Sequence, residues 1–165
     1  MALTQERLKE LLTYSPETGV FHWLESRGSI RAGAVAGCNC ADGYTRIRLD
    51  GVMYLAQRLA WFYVKGEWPT QLVDHENMDK SDNRWGNLRE CSKSENARNA
   101  KTHSDAGNRF KGVSRSSSGR WAARICIDRQ NIHLGNHDSP ALAAAAYDNA
   151  ARKLHGAFAR TNGVA

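Results

Sequence analysis

The stretch from residue 71 to residue 96, QLVDHENMDKSDNRWGNLRECSKSEN, constrains the fold more than any other part of the chain. Two short runs, QLVDH and NLREC, read as strands, and they bracket a loop dense in Asn and Asp. Directly after the second strand, Ser92 and Glu95 have the spacing of a capping box, so a helix should begin there. Asn96 falls in the first turn of that helix. Helical side chains lean toward the N-terminus, so Asn96 is expected to point back at the hairpin. Strand, loop, strand and helix would then gather Asp74, His75 and Asn96 at one place.

Those three side chains have complementary chemistry. A carboxylate (Asp74) and an amide carbonyl (Asn96) are hard oxygen donors, suited to Mg²⁺ or, alternatively, Mn²⁺. An imidazole (His75) titrates near neutrality and can take a proton from an attacking water. Asp79 and Asp82 are expected to shape the loop rather than bind metal. His22, His103, His137 and His155 have no partner at ligand spacing and are read as surface or structural residues. The four cysteines form no CxxC pair, so no structural zinc is expected and the thiols should be reduced.

Charge narrows the choice of partner. The 165-residue chain carries a net +6, and the segment from Arg84 to Arg129 holds eleven Lys or Arg against four Asp or Glu. That segment is therefore +7 and the remainder −1, which points to a polyanionic partner rather than an evenly solvated surface. No apolar run approaches membrane-span length and the N-terminus has no signal-peptide core, so a cytoplasmic location is expected.

Upstream of the central motif the sequence reads as scaffold, with no chemistry assigned to it. Thr4 caps a helix bearing Leu8, Leu11 and Leu12, and Pro16 and Gly19 break it before a short strand, Val20 to Trp23. The alternation of Thr45, Ile47 and Leu49 with an Asp50-Gly51 turn predicts a hairpin. AQRLAWFYVKGEWP predicts a helix stopped by Gly66 and Pro69.

Downstream, FKGVSRSSSGRWAARICIDRQNIHLG predicts three strands separated by SSSG and DRQ. In the second strand Trp121, Ala123, Ile125 and Ile127 fall on one face, and Arg120, Ala122, Arg124 and Cys126 on the other. In the third, Ile132 and Leu134 face one side, Asn131 and His133 the other. Ser139 and Pro140 then start an Ala-rich helix ending at Gly156. Its stripe of Ala143, Tyr147, Ala150 and Leu154 is expected to cover the Trp121/Ile125 face and leave the opposite face open and basic.

The central motif resembles the HNH endonucleases, in the phage and homing branch whose pattern is DHxxxxxxxDNRxxNLR followed by a helix carrying Asn. The chain has Asp74, His75, Asp82, Asn83, Arg84, Asn87, Leu88, Arg89 and Asn96 at the fixed positions. The resemblance implies a general base (His75), one divalent metal held by Asp74 and Asn96, and a bracing role for Asn87, the middle letter of the motif, which also orients the histidine. It extends upstream into the AQRLAWFYVKGEWP helix, where Gln57 stands in place of the usual His.

Residues 109–162 resemble an AP2 (ERF-type) DNA-binding domain, on FKGVSRSSSGRWAARI, HLG and AAAAYDNAARKLHGAFARTN. By that resemblance Lys111, Ser114, Ser116, Arg124, Cys126 and His133 lie where relatives touch DNA, and Arg120 is added as a phosphate contact. Where plant members carry Arg or Trp, this chain has several serines, which leaves Arg124 as the candidate for a specific base contact.

The expected architecture is therefore α+β. A ββα-metal HNH module spans residues 1–102, with its core at about 70–101, and a linker spans 103–108. A three-stranded antiparallel sheet packed on one helix spans 109–163. The expected function is metal-dependent cleavage of double-stranded DNA, as a monomer that nicks or as a homodimer. The alternative is a DNA-binding regulator with a dormant nuclease fold.

Overall fold

The computed structural model describes residues 3–99, 110–127 and 130–164, so the expected linker at 103–108 and His103 lie outside the described residues. The chain divides into two compact units, Met1–Ser92 and Lys93–Ala165.

In the first unit α1 (Gln5–Leu11) starts at Thr4, whose hydroxyl accepts from the Arg7 N–H at 3.2 Å. The chain leaves the helix earlier than the leucine spacing suggests. Leu12 is extended and opens β1 (Leu12–Tyr14), which pairs antiparallel with β2 (Phe21–Trp23). Alternation decides this: Leu12 and Tyr14 are buried while Thr13 is exposed, a pattern of period two rather than 3.6. β3 (Cys38–Asn39), β4 (Thr45–Leu49) and β5 (Val52–Leu55) make a second small sheet. Asp50 and Gly51 both have positive φ, which a two-residue type I′ hairpin requires. Ile47 and Leu49 turn inward at 1% exposure each, as their alternation predicts.

α2 (Ala56–Lys65) follows at once and stops where Gly66 goes left-handed, its N–H reaching the Phe62 carbonyl at 3.0 Å. Leu8, Leu12, Phe21, Ile47, Leu49, Leu59, Ala60 and Phe62 form the core. Leu88 reaches into the same core from the strand beside the candidate site, so that strand is anchored in packed hydrocarbon.

The second unit holds α3 (Lys93–Asn99), which begins directly after Ser92 as the capping box predicts. It also holds the antiparallel sheet β8 (Val113–Arg115), β9 (Trp121–Ile127) and β10 (Gln130–His137), in the order β10-β9-β8. α4 (Pro140–His155) lies on one face, capped by the Ser139 hydroxyl accepting from the Leu142 N–H at 3.2 Å. The buried stripe differs from the expected one. Ala143, Ala144, Tyr147, Asp148, Ala151 and His155 face inward, and Leu154 is 47% exposed.

Two polar anchors account for that rotation. Asp148 is fully buried and accepts from the Asn162 N–H at 2.7 Å, the Asn162 amide at 3.0 Å and the Val164 N–H at 3.2 Å. His155 Nε2 meets the Cys126 carbonyl at 3.3 Å. Asn162 in turn accepts from the Lys111 N–H at 2.6 Å and donates to the Lys111 carbonyl at 3.1 Å, which ties the end of the unit to the turn before β8. Ile132 lies opposite Ile125 on the helix side, but on the edge strand, and remains 41% exposed.

Close approach needs glycine at one position. Gly112 has φ +73°, and a Cβ there would stand 2.1 Å from the Tyr147 ring and 2.5 Å from the Arg124 carbonyl oxygen. Gly119 has a similar φ of +79° with nothing within 4 Å. Gly112→Ala should therefore cost about 2–4 kcal/mol through clash plus strain, and Gly119→Ala only about 1 kcal/mol through strain alone. Urea unfolding of the two variants measures the difference.

Candidate active site and nucleic-acid interface

β6 (Leu72–His75) pairs antiparallel with β7 (Leu88–Cys91), placing Asp74 opposite Arg89 and His75 opposite Leu88. Cross-strand neighbours share a face, so the Arg89 guanidinium meets the Asp74 carboxylate. Its Nη2 donates to Asp74 Oδ2 at 3.1 Å and its Nε to the same oxygen at 3.3 Å. Arg89 Nη1 also lies 3.6 Å from Glu76 Oε1. Asp74 Oδ2 is thus held at two points by a neighbour that is itself mostly buried.

His75 is 3% exposed, and its Nε2 lies 3.2 Å from the Asn83 side-chain oxygen. Asn83 is 2% exposed and donates its amide to the Ser81 carbonyl at 3.0 Å. That second bond turns Oδ1, an acceptor, toward the ring. The proton of a neutral imidazole therefore sits on Nε2, and Nδ1 carries the basic lone pair. Burial pushes the His75 pKa below its ordinary value. The Asn83 hydrogen bond and then Asp74, Asp82 and Asp79 oppose the shift without reversing it. At neutral pH the ring is poised to accept a proton.

The loop between the strands is built on Asn87, which sits in a 3-10 turn (Trp85–Asn87) and is 8% exposed. Its side-chain oxygen accepts from the Asn77 N–H at 3.0 Å and its amide donates to the Asp82 carbonyl at 2.8 Å. Its own carbonyl accepts from the Glu76 N–H at 2.9 Å. One side chain thus closes the loop from both ends. Asn87 thus makes bonds within the loop, and the amide that meets the ring through Nε2 belongs to Asn83. Sequence reasoning named Asn83 as a motif position and gave it no role. Its signal was weak, because one Asn among several in a polar loop looks like turn chemistry.

The aspartates of the loop bond to neighbouring groups within it. Asp79 accepts from the Ser81 N–H at 3.0 Å and its hydroxyl at 2.6 Å. Asp82 accepts from Arg84 at 2.8 and 2.6 Å and from the Asn77 amide at 2.7 Å. The Arg84 hydrogen bonds hold the Asp82 carboxyl down to about 2. Asn96 lies on α3, in the second unit, with its side chain exposed.

The donors expected for a metal are hard oxygens, one carboxylate and one amide carbonyl. Such a pair fits Mg²⁺, which keeps several waters and takes few protein ligands.

On the sheet of the second unit the ladder register sorts the candidate DNA contacts. Arg124 lies opposite His133, Cys126 opposite Asn131, and Ala122 between Ser114 and Asn136. These residues share the face turned away from α4. Ser114, Arg124, Cys126, Asn131, His133 and Asn136 are exposed, and Ala122 forms the floor between them. Arg120 reaches Asp138 at 2.9 Å. Ser116 is half-buried and opens the turn, its N–H donating to the Arg120 carbonyl at 2.8 Å. Lys111 is half-buried, and burial, then the Arg160 charge, lower its pKa. Asn136 escaped the sequence reading because a register shift between His133 and Gly135 resets the alternation.

Comparison with known proteins agrees with both halves. The HNH endonuclease family HNH_3 matches residues 54–98. A segment of 46 residues is 48% identical to an AP2/ERF and B3 domain-containing transcription factor of Arabidopsis thaliana, covering 28% of this chain and 13% of that protein. A segment of 66 residues is 44% identical to the ethylene-responsive transcription factor LEP of the same plant, covering 39% of this chain and 31% of that one. A solved structure of the HNH homing endonuclease I-HmuI, described by its DNA binding and cleavage, aligns with a TM-score of 0.42 at 26% identity. That alignment covers 53% of this chain and 50% of the other. The chain thus spans at most half the length of these relatives.

Replacing Asn87 with Ala removes both side-chain tethers of the loop. The variant should lose about 1–3 kcal/mol in urea unfolding and be cut faster within residues 76–84 by a probing protease. Residues 54–98 are similar to the HNH endonuclease family, and the second part is similar to AP2/ERF segments.

Proposed function

We propose that the chain is a metal-dependent nuclease that hydrolyses phosphodiester bonds of double-stranded DNA and is brought to its target by the AP2-like sheet. The observation that carries this reading is the seating of His75. A buried, neutral imidazole, oriented by Asn83 at 3.2 Å, stands next in sequence to a carboxylate held by Arg89.

In this reading His75 Nδ1 takes the proton of the attacking water, as a general base that burial keeps in the neutral form. Asp74 and Asn96 are the residues that would hold a divalent cation, Mg²⁺ or alternatively Mn²⁺. When bound, that ion supplies charge stabilisation at the phosphate and the leaving oxygen. Asn87 keeps the loop closed and does not react. Arg89 holds Asp74 through Oδ2.

Arg124 and His133, side by side on the outer face, are proposed to meet base edges, since a β-sheet can enter a major groove about 12 Å wide. Ser114, Asn131 and Asn136 extend the same face. Arg120, Lys111 and Ser116 are proposed to contact phosphates and fix register. One HNH site breaks one strand, so a monomer nicks, and a double-strand break needs two copies or two events. No helix among the described residues is long and apolar enough to cross a membrane. A cytoplasmic site of action, the host cytoplasm for a phage-encoded protein, completes the proposal.

Supercoiled plasmid is the substrate for the test. The wild-type protein with Mg²⁺ should convert it to the nicked form, EDTA should stop the conversion, and His75→Ala should slow it by roughly 10²–10⁴-fold. Binding of DNA with no strand break by wild type, with Mg²⁺ or Mn²⁺, would leave the regulator reading in its place.

A further inference from the structure

The β1–β2 hairpin lies far upstream of the HNH motif and carries none of its residues, yet it is built against the loop that seats His75. The Tyr14 hydroxyl donates to the Asn83 backbone carbonyl at 2.7 Å, a bond wholly inside the unit. The Trp85 N–H donates to the Pro16 carbonyl at 2.9 Å. Gly19, at φ +73° in the hairpin turn, presses so closely that a Cβ there would stand 2.3 Å from the Arg84 nitrogen and 2.4 Å from the Asn83 carbonyl carbon. Three successive residues, Asn83, Arg84 and Trp85, are therefore clamped from one side by a single turn.

The clamp acts on the residue that touches the imidazole. Asn83 has its carbonyl on Tyr14, its amide on Ser81 and its side-chain oxygen on His75. Tyr14 itself cannot drift. It is 6% exposed, with its ring 4.7 Å from that of Phe21 and 5.7 Å from that of Tyr63. Burial, then the nearby Asp82 charge, raise its pKa, so the hydroxyl stays protonated and keeps donating.

We propose that Tyr14 is a positioning residue for the general base: its hydroxyl fixes the Asn83 backbone, and the Asn83 side chain in turn sets the orientation and tautomer of His75. The proposal rests on the nuclease reading for its kinetic consequence but not for its structural one. Tyr14 touches no reacting group. A small displacement of a catalytic side chain is costly, because proximity effects fall steeply with distance.

Tyr14→Phe removes one oxygen and keeps the aromatic packing. Tyr63→Phe, which removes a hydroxyl from the same ring cluster, serves as the control. Both are measured for nicking of supercoiled plasmid at matched folded fraction and for the imidazole ¹⁵N spectrum of His75. In the wild type and in Tyr63→Phe, the ring should show the Nε2–H tautomer. In Tyr14→Phe it should show a mixture of tautomers, with kcat lower by about tenfold or more and KM for DNA unchanged. A wild-type ring spectrum in Tyr14→Phe overturns the proposal, as does a changed spectrum with kcat within about twofold of wild type. If the spectrum changes as expected but the wild-type protein itself cuts nothing, positioning by Tyr14 stands and the nuclease reading fails.

Discussion

The bond between Asn83 and His75, 3.2 Å long and closed off from solvent, depends on contacts from the rest of the first unit. A histidine exposed at a loop tip would sample several rotamers and both tautomers. Here burial strips the charged form of its water, and the amide oxygen decides which nitrogen holds the proton. For that amide to be fixed, its backbone must be fixed. The loop supplies this through Asn87, which joins the Asn77 N–H to the Asp82 carbonyl, and the hairpin supplies it through Tyr14 and Gly19. Behind these, Leu88 sits in the hydrophobic core and keeps β7 from slipping. A slip of one residue would turn Asp74 away from Arg89 and move every side chain of the strand to the other face.

The second unit solves a different problem with the same means. Its core is small and rich in alanine, so helix and sheet approach closely, and Tyr147 lies over the backbone of Gly112. Closure comes from a buried carboxylate. Asp148 takes hydrogen bonds from both Asn162 and Val164, and Asn162 passes the tie to Lys111. A buried acceptor that satisfies several donors stabilises one arrangement of the chain end, because any other leaves those groups unpaired. With the helix fixed on one side, the sheet is left to display Arg124, His133, Asn131 and Asn136 on the other.

Most of this architecture was legible in the sequence where a short period or a strong local signal operates. The DH and NLREC strands, the Asp50-Gly51 turn, the capping box at Ser92 and the Ser139-Pro140 helix start all rest on chemistry within a few residues. What was not legible depends on contacts between residues far apart in the chain. Leu12 reads as a continuation of a leucine-spaced helix until β2 arrives to pair with it. Leu154 fits the helical stripe, but Asp148 and His155 must turn inward to meet Asn162 and Cys126, and the helix rotates accordingly. Tyr14 and Gly19 look like scaffold, and only folding brings them against Asn83, 69 positions from Tyr14. At the candidate site, Asp74, His75 and Asn87 could be named from motif spacing, while the duty of Asn83 needed the geometry.

The proposed cutting by the loop and the proposed reading by the sheet meet in where the breaks fall. Sequencing the ends left on genomic DNA by the wild-type protein and by Arg124→Ala tests both together. The account predicts 5′-phosphate ends at a fixed offset from a recurring sequence for the wild type. For the variant it predicts the same end chemistry at scattered positions, since loss of one bidentate base contact weakens discrimination by about 1–3 kcal/mol. Identical break positions in the two proteins would contradict it.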